Sequence, residues 1–144
     1  ANIFNHKHET PLHLAARNNH VNVMKLLLDQ GGRIEALRLG SMTPLHMAVM
    51  RGSQEAVELL VERNAKVAVA DKDGWTPLHY AVTNNNLEIT ILLLEHGAEV
   101  NARDNEGRLP LDYATGKAAK LLKDRGATKS SSMIDRFLDD LDRE

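Results

Sequence analysis

Cysteine is absent from this chain of 144 residues, and aromatic side chains make up only 3% of it. The first absence excludes disulfide frameworks and thiolate metal sites, and it fits a reducing, intracellular setting (cytoplasm or nucleus). The second leaves Ala, Leu and Val to carry burial within a composition that is 42% apolar, which favours close-packed short helices over a sheet sandwich. Long apolar runs are missing as well: none approaches the roughly 18 residues that cross a bilayer. The opening stretch Ala1 to His8 is polar and lacks the apolar segment of a secretion signal. Nor does either sign of charge dominate, with 18 basic residues against 20 acidic ones. Asp135, Asp139, Asp140, Asp142 and Glu144 outnumber Arg136 and Arg143 near the end, so the remainder is close to neutral. A nucleic-acid binder would show a basic stripe, and this chain has none.

What the sequence does have is a period. Thr10-Pro11-Leu12-His13 returns as Thr43-Pro44-Leu45-His46 and as Thr76-Pro77-Leu78-His79, each step 33 residues, with Leu109-Pro110-Leu111-Asp112 as a decayed fourth copy. Ala15, Ala48, Ala81 and Ala114 keep the register, as do Leu26-Leu27, Leu59-Leu60 and Leu92-Leu93. Within each unit Thr offers a hydroxyl to cap a helix and Pro has the preset φ for its first position. That helix is expected to stop near Asn19, Gly52 and Asn85, residue types that tolerate left-handed backbone. A second helix follows with apolar spacing near 3.6, for example Val21, Val23, Met24, Leu27 and Leu28. It is expected to close at Gly31, Asn64 and Gly97. Turn chemistry then appears in Asp71-Lys-Asp-Gly74 and Asp104-Asn-Glu-Gly107.

Helix, tight turn, helix and a protruding β-turn at this period resemble the ankyrin repeat, over roughly residues 5 to 128. Repeat three is nearest the family pattern, from Asp71-Lys-Asp-Gly-Trp-Thr-Pro-Leu-His-Tyr-Ala to Leu-Leu-Leu-Glu-His-Gly-Ala-Glu-Val-Asn-Ala-Arg103. The resemblance implies an all-α solenoid of L-shaped units with a concave binding surface. The units are read as 5–37, 38–70, 71–103 and a shortened 104–128, followed by a linker and amphipathic helix over 129–144. In the tail, Ser132 and Asp135 suggest a capping box, and Met133, Ile134, Phe137, Leu138 and Leu141 fall on one helical face. Such a segment is expected to cap repeat four, with a partner-binding or autoinhibitory helix as alternatives. Its acidity argues against a membrane surface.

Departures from the pattern carry expectations too. His8 and Ser41 replace the turn glycine in the first two fingers, although Gly40 sits one position before Ser41, and these fingers are expected to be bent or mobile. Repeat four is four residues short, with Lys117, Lys120 and Lys123 outward on its second helix. Repeat one shows no polar conversion, so the chain reads as the C-terminal piece of a longer array.

Chemistry-bearing residues have plain readings. His13, His46 and His79 sit at equivalent positions three residues after a Thr, which suits local hydrogen bonding; the resemblance implies that they also tie one repeat to the next. His6 and His8 lack carboxylate or thiolate company. A calcium loop built on Gly74 would need acidic ligands where Val69 and Tyr80 stand. No phosphate loop or nucleophile elbow occurs, so no enzyme activity, cofactor or metal is expected. Asn101, in Val-Asn-Ala, stands where asparaginyl hydroxylases modify some ankyrin proteins, and its ordinary role is to bond neighbouring backbone.

The resemblance places a partner on the finger tips and the first-helix edge: His6, Lys7, Glu9, Arg17 and Asn18, then Leu39, Met42, Met50 and Arg51, then Lys72, Asp73, Trp75, Thr83 and Asn84, then Asn105, Glu106 and Arg108. Leu39, Met42, Met50 and Trp75 are not required by the scaffold and are expected to form a compact apolar patch rimmed by Arg51, Lys72 and Asp73. Its loss at Trp75 should weaken binding and spare stability. Tyr80 and Tyr113 either line the groove or pack between repeats. The expected function is recognition of another protein by a monomeric module, with a structural spacer or a tail-regulated array as rivals.

Overall fold

The first helix of each repeat begins where threonine or leucine meets proline. In the computed structural model, which describes residues 5–128, α1 (Pro11–Arg17), α3 (Pro44–Met50), α5 (Pro77–Thr83) and α7 (Pro110–Tyr113) all start on proline. Proline suits that position because its φ is already helical and its missing N–H would have no partner there. Alternating with them are α2 (Val21–Asp29), α4 (Gln54–Glu62), α6 (Leu87–Glu95) and α8 (Gly116–Asp124). Among the described residues there is no sheet, only an isolated bridge between Arg38 and Met42.

The breaks fall where left-handed backbone is tolerated. Asn19, Gly52 and Asn85 separate the paired helices with φ of 60°, 69° and 56°. Gly31, Asn64 and Gly97 close the second helices at 90°, 67° and 94°. All six agree with the sequence expectation.

Stacking produces two layers, an inner one in which α1, α3, α5 and α7 touch in succession and an outer one of α2, α4, α6 and α8. Ala15, Ala48 and Ala81 are buried in the inner layer, where a single methyl lets backbones approach. Leu45, Leu60, Leu78, Leu93 and Leu122 fill the space between layers. The four-residue deletion shortens α7, whose C-cap Ala114 already has extended backbone. Lys117, Lys120 and Lys123 are exposed on α8, as expected. The amphipathic helix expected over 133–141 lies outside the described residues.

Candidate partner-binding surface

The fingers are positioned by the histidines. Thr10 N–H donates to His13 Nδ1 at 3.1 Å, and Thr43 and Thr76 do the same for His46 and His79 at 3.2 and 3.1 Å. An imidazole whose Nδ1 accepts carries its proton on Nε2. That proton is donated to the carbonyl of the next finger: His13 to Met42 at 2.9 Å, His46 to Trp75 at 3.0 Å, His79 to Arg108 at 3.4 Å. Burial of each ring pushes its pKa down, against the opposing pull of these carbonyls and nearby carboxylates. The three residues are therefore neutral structural links from one repeat to the next. In repeat four Asp112 takes the slot and accepts Leu109 N–H at 2.7 Å.

Backbone bonds carry the fingers on as a row. Leu39 N–H donates to Lys7, Lys72 to Gly40 and Asn105 to Asp73, at 2.8 to 3.0 Å. Gly74 shows why one turn needs glycine: φ is +80°, and a Cβ there would sit 2.6 Å from the Asn105 amide nitrogen. For finger one the expectation of a different bend is corrected: His8 takes a left-handed φ of 61° in the place of Gly74. Finger two does differ, with Gly40 at 88° directly ahead of Ser41 at 59°. Asn5 Oδ1 accepts from Lys7 and Glu9 as Asp71 Oδ1 accepts from Asp73 and Trp75. Finger two closes through Arg38 N–H to Met42 and Ser41 N–H to Arg38, with Arg38 Nη1 donating to the Leu39 carbonyl at 3.0 Å.

The compact apolar patch is also corrected. Met42 is only 7% exposed; its sulfur meets Arg38 Nη1 and its carbonyl holds His13. Trp75 is half-buried between fingers: its ring lies 4.9 Å from both Tyr80 and Tyr113, stacks on His79, and donates Nε1–H to Asp104 at 3.2 Å. It packs there because an indole can bury its ring and still satisfy its N–H. Leu39 at 54% and Met50 at 37% remain exposed, but Met50 ends α3, about one seven-residue helix length or ~10 Å from the finger. The tyrosines pack rather than line an open groove. Tyr80 hydroxyl donates to Asp71 and Tyr113 hydroxyl to Asp104, and burial followed by the carboxylate raises both phenol pKa values.

The remaining candidates sit on the surface. Arg51 caps α3, and Lys72, Asp73 and Asn84 are exposed, with Asn84 Nδ2 donating to the Met50 carbonyl at 3.0 Å. Arg108 pairs with Glu106 at 3.4 Å. Lys7, Asn18, Thr83 and Asn105 are exposed. Glu9 is buried instead, 3.2 Å from Arg17 and 3.3 Å from Arg38. Burial opposes its charge, but Asn5 and the two arginines outweigh that and hold its pKa low. Asn101 bonds backbone on both sides, Gly126 at 3.2 Å and Thr128 at 2.9 Å.

Several displayed residues escaped the sequence reading, Leu37 among them. Leu37, 55% exposed, flanks Arg38 opposite Leu39, and the alternation Leu-Arg-Leu at the start of a finger was the signal that could have found it. Two family models agree with this architecture: one described as ankyrin repeats (3 copies) matches residues 1–71, and one described as ankyrin repeats (many copies) matches residues 60–114. The search of curated proteins finds no match. Among the described residues, no three His, Cys, Asp or Glu side chains are grouped to hold a metal, and no helix is long and apolar enough to cross a membrane.

Proposed function

The chain belongs to the ankyrin-repeat family, and from that premise we propose that it is a recognition module that binds another protein through finger two and the C-terminal end of α3. The observation that carries the reading is the display of Leu37, Leu39 and Met50 on surfaces where the scaffold does not use them. Exposed Arg51, Lys72 and Asp73 flank them, giving apolar contacts with a polar rim, the usual anatomy of an interface. Binding rather than catalysis suits a surface whose histidines and buried carboxylates are already engaged inside the fold.

The test is a paired measurement. Proteins retained by the wild-type chain are compared with those retained by Leu39→Ser and Met50→Ser. At least one protein should lose about tenfold or more in retention by both variants, because an apolar anchor in an interface contributes on the order of 1–2 kcal/mol. Thermal melting should stay within about 2 °C, since exposed substitutions cost roughly 0.5 kcal/mol or less. Unchanged retention of every captured protein, with both variants folded, overturns the reading.

A further inference from the structure

Residues 129–144 lie outside the described residues. Their sequence joins Met133, Ile134, Phe137, Leu138 and Leu141 to Asp135, Asp139, Asp140, Asp142 and Glu144, against Lys129, Arg136 and Arg143. A surface that receives such a segment needs exposed apolar side chains and positive charge together. The end of repeat four has the charge, with Lys117, Lys120 and Lys123 exposed, but among the described residues no large apolar side chain is exposed on α7 or α8. On α6, Ile91 is exposed, but exposed Glu88 and Glu95 share its helical face. Val23 and Leu26 of α2 are exposed too, but they lie three repeats from Thr128, on the order of 30 Å at one helix spacing per repeat. Finger two has both. Leu37 and Leu39 are displayed there, and exposed Lys7 and Lys72 adjoin it on either side, Leu39 N–H donating to Lys7 and Lys72 N–H to Gly40. Nearby carboxylates are engaged elsewhere, Glu9 with Arg17 and Arg38 and Asp71 with Tyr80, which leaves Asp73 as the exposed acid.

We propose that finger two is the docking site of this chain's own residues 133–144, which run along the finger row with apolar side chains on Leu37 and Leu39 and carboxylates toward Lys7 and Lys72. This deepens the recognition reading and rests on it, because the same surface is taken to be adhesive. A partner then competes with the tail, and an acidic apolar segment is the class of ligand that fits. Reach allows the contact. The Thr128 amide donates to Asn101 Oδ1 at 2.9 Å, which leaves the chain at the base of finger four. Finger two is two repeats away, roughly 20 Å at one helix spacing per repeat. Residues 129–132 extended span about 14 Å, and a helix over 133–141 adds about 13 Å. That length brings Leu138 and Leu141, with the acids from Asp139 onward, to finger two.

The test is amide exchange in the full chain, read at Arg38, Leu39 and Ser41, whose N–H groups are bonded within and beside finger two. A tail docked about two-thirds of the time leaves about one-third of the molecules open. Leu138→Ser and Leu141→Ser together should therefore speed exchange there about threefold, and raise retention of a Leu39-dependent protein by a similar factor. Lys72→Glu should act alike on exchange, and Asp139→Lys with Asp142→Lys should restore protection in that background. Unchanged exchange at finger two, or retention that does not rise, overturns the proposal. A response confined to α7 and α8 makes the tail a cap and overturns it too, as does protection that depends on protein concentration, which gives the surface to a second copy. The two readings fail separately. Partner retention lost in Leu39→Ser without any exchange response in the tail variant condemns the tail contact alone, whereas an exchange response with no Leu39-dependent protein condemns the partner reading alone.

Discussion

Fingers one and two differ from fingers three and four in how the same turn is held. In the later pair an aspartate does the work. Asp104 accepts from Glu106 and Arg108 N–H through one oxygen, and from Tyr113 and Trp75 through the other. Burial works against its charge, yet the donors from Tyr113, Arg108 and Glu106 leave its pKa lowered. Asp71 repeats the pattern with Tyr80. In the earlier pair the helix residues facing the finger are Leu14 and Met47, so no hydroxyl is available, and Arg38 offers no acceptor. An ion cluster, Glu9 between Arg17 and Arg38, fills that side instead, while the turn of finger one rests on Asn5 and that of finger two on backbone bonds. The same repeat frame thus tolerates a carboxylate ringed by aromatic donors or a buried carboxylate between guanidiniums.

The largest effect expected from this contrast is at Trp75. Trp75→Ala removes the ring between two tyrosines and frees Asp104 of a donor, and should cost about 3 kcal/mol in urea unfolding. That reverses the expectation from sequence, which kept stability intact. A loss below about 1 kcal/mol would mean that the aromatic stack does not hold the later fingers.

Smaller, and common to three repeats, is the response to acid. His13, His46 and His79 have pKa values lowered by burial, so the folded state binds their protons less readily than the unfolded chain. Stability is complete above the unfolded value near 6.5 and is lost as pH falls from there through the folded values. A melting temperature that is flat from pH 7 to pH 5 would contradict the neutral, Nε2-protonated assignment. His79→Gln should flatten part of the slope.

The smallest effect sharpens the contrast at the other end. Glu9→Gln should cost about 1 kcal/mol, and raising salt to about 1 M should reduce that difference because charge pairs are screened. The corresponding salt dependence of Trp75→Ala should be negligible. Equal salt dependence in the two variants would erase the distinction between the finger pairs.

Much of the fold was legible because helix boundaries depend on local residues. Thr-Pro starts and the Asn or Gly stops at positions 19, 52 and 85 are short-range signals, and they placed the helices closely. The site was harder to read. Met42 and Trp75 look dispensable within their own repeat, and only contacts with neighbours show their use: His13 reaches Met42 from 29 residues away, and Trp75 reaches Asp104 over the same separation. Periodicity says which residues are equivalent but not which have a neighbour. Val23 therefore reads like Ala56 and Ile89 although its surroundings differ. His8 misled for a different reason: the turn of finger one rests on Asn5 and on backbone bonds, and it survives without glycine.

The histidine links all run forward along the chain, and that gives the array a polarity in how it tolerates trimming. Cutting a repeat from the trailing side would strand a sequestered N–H that had been donating to the finger just lost. Cutting from the leading side strands no imidazole, since the carbonyl left behind lies in an outermost loop that water can reach. In repeat four the clasp position is a carboxylate, which accepts Leu109 N–H and has no proton to hand forward.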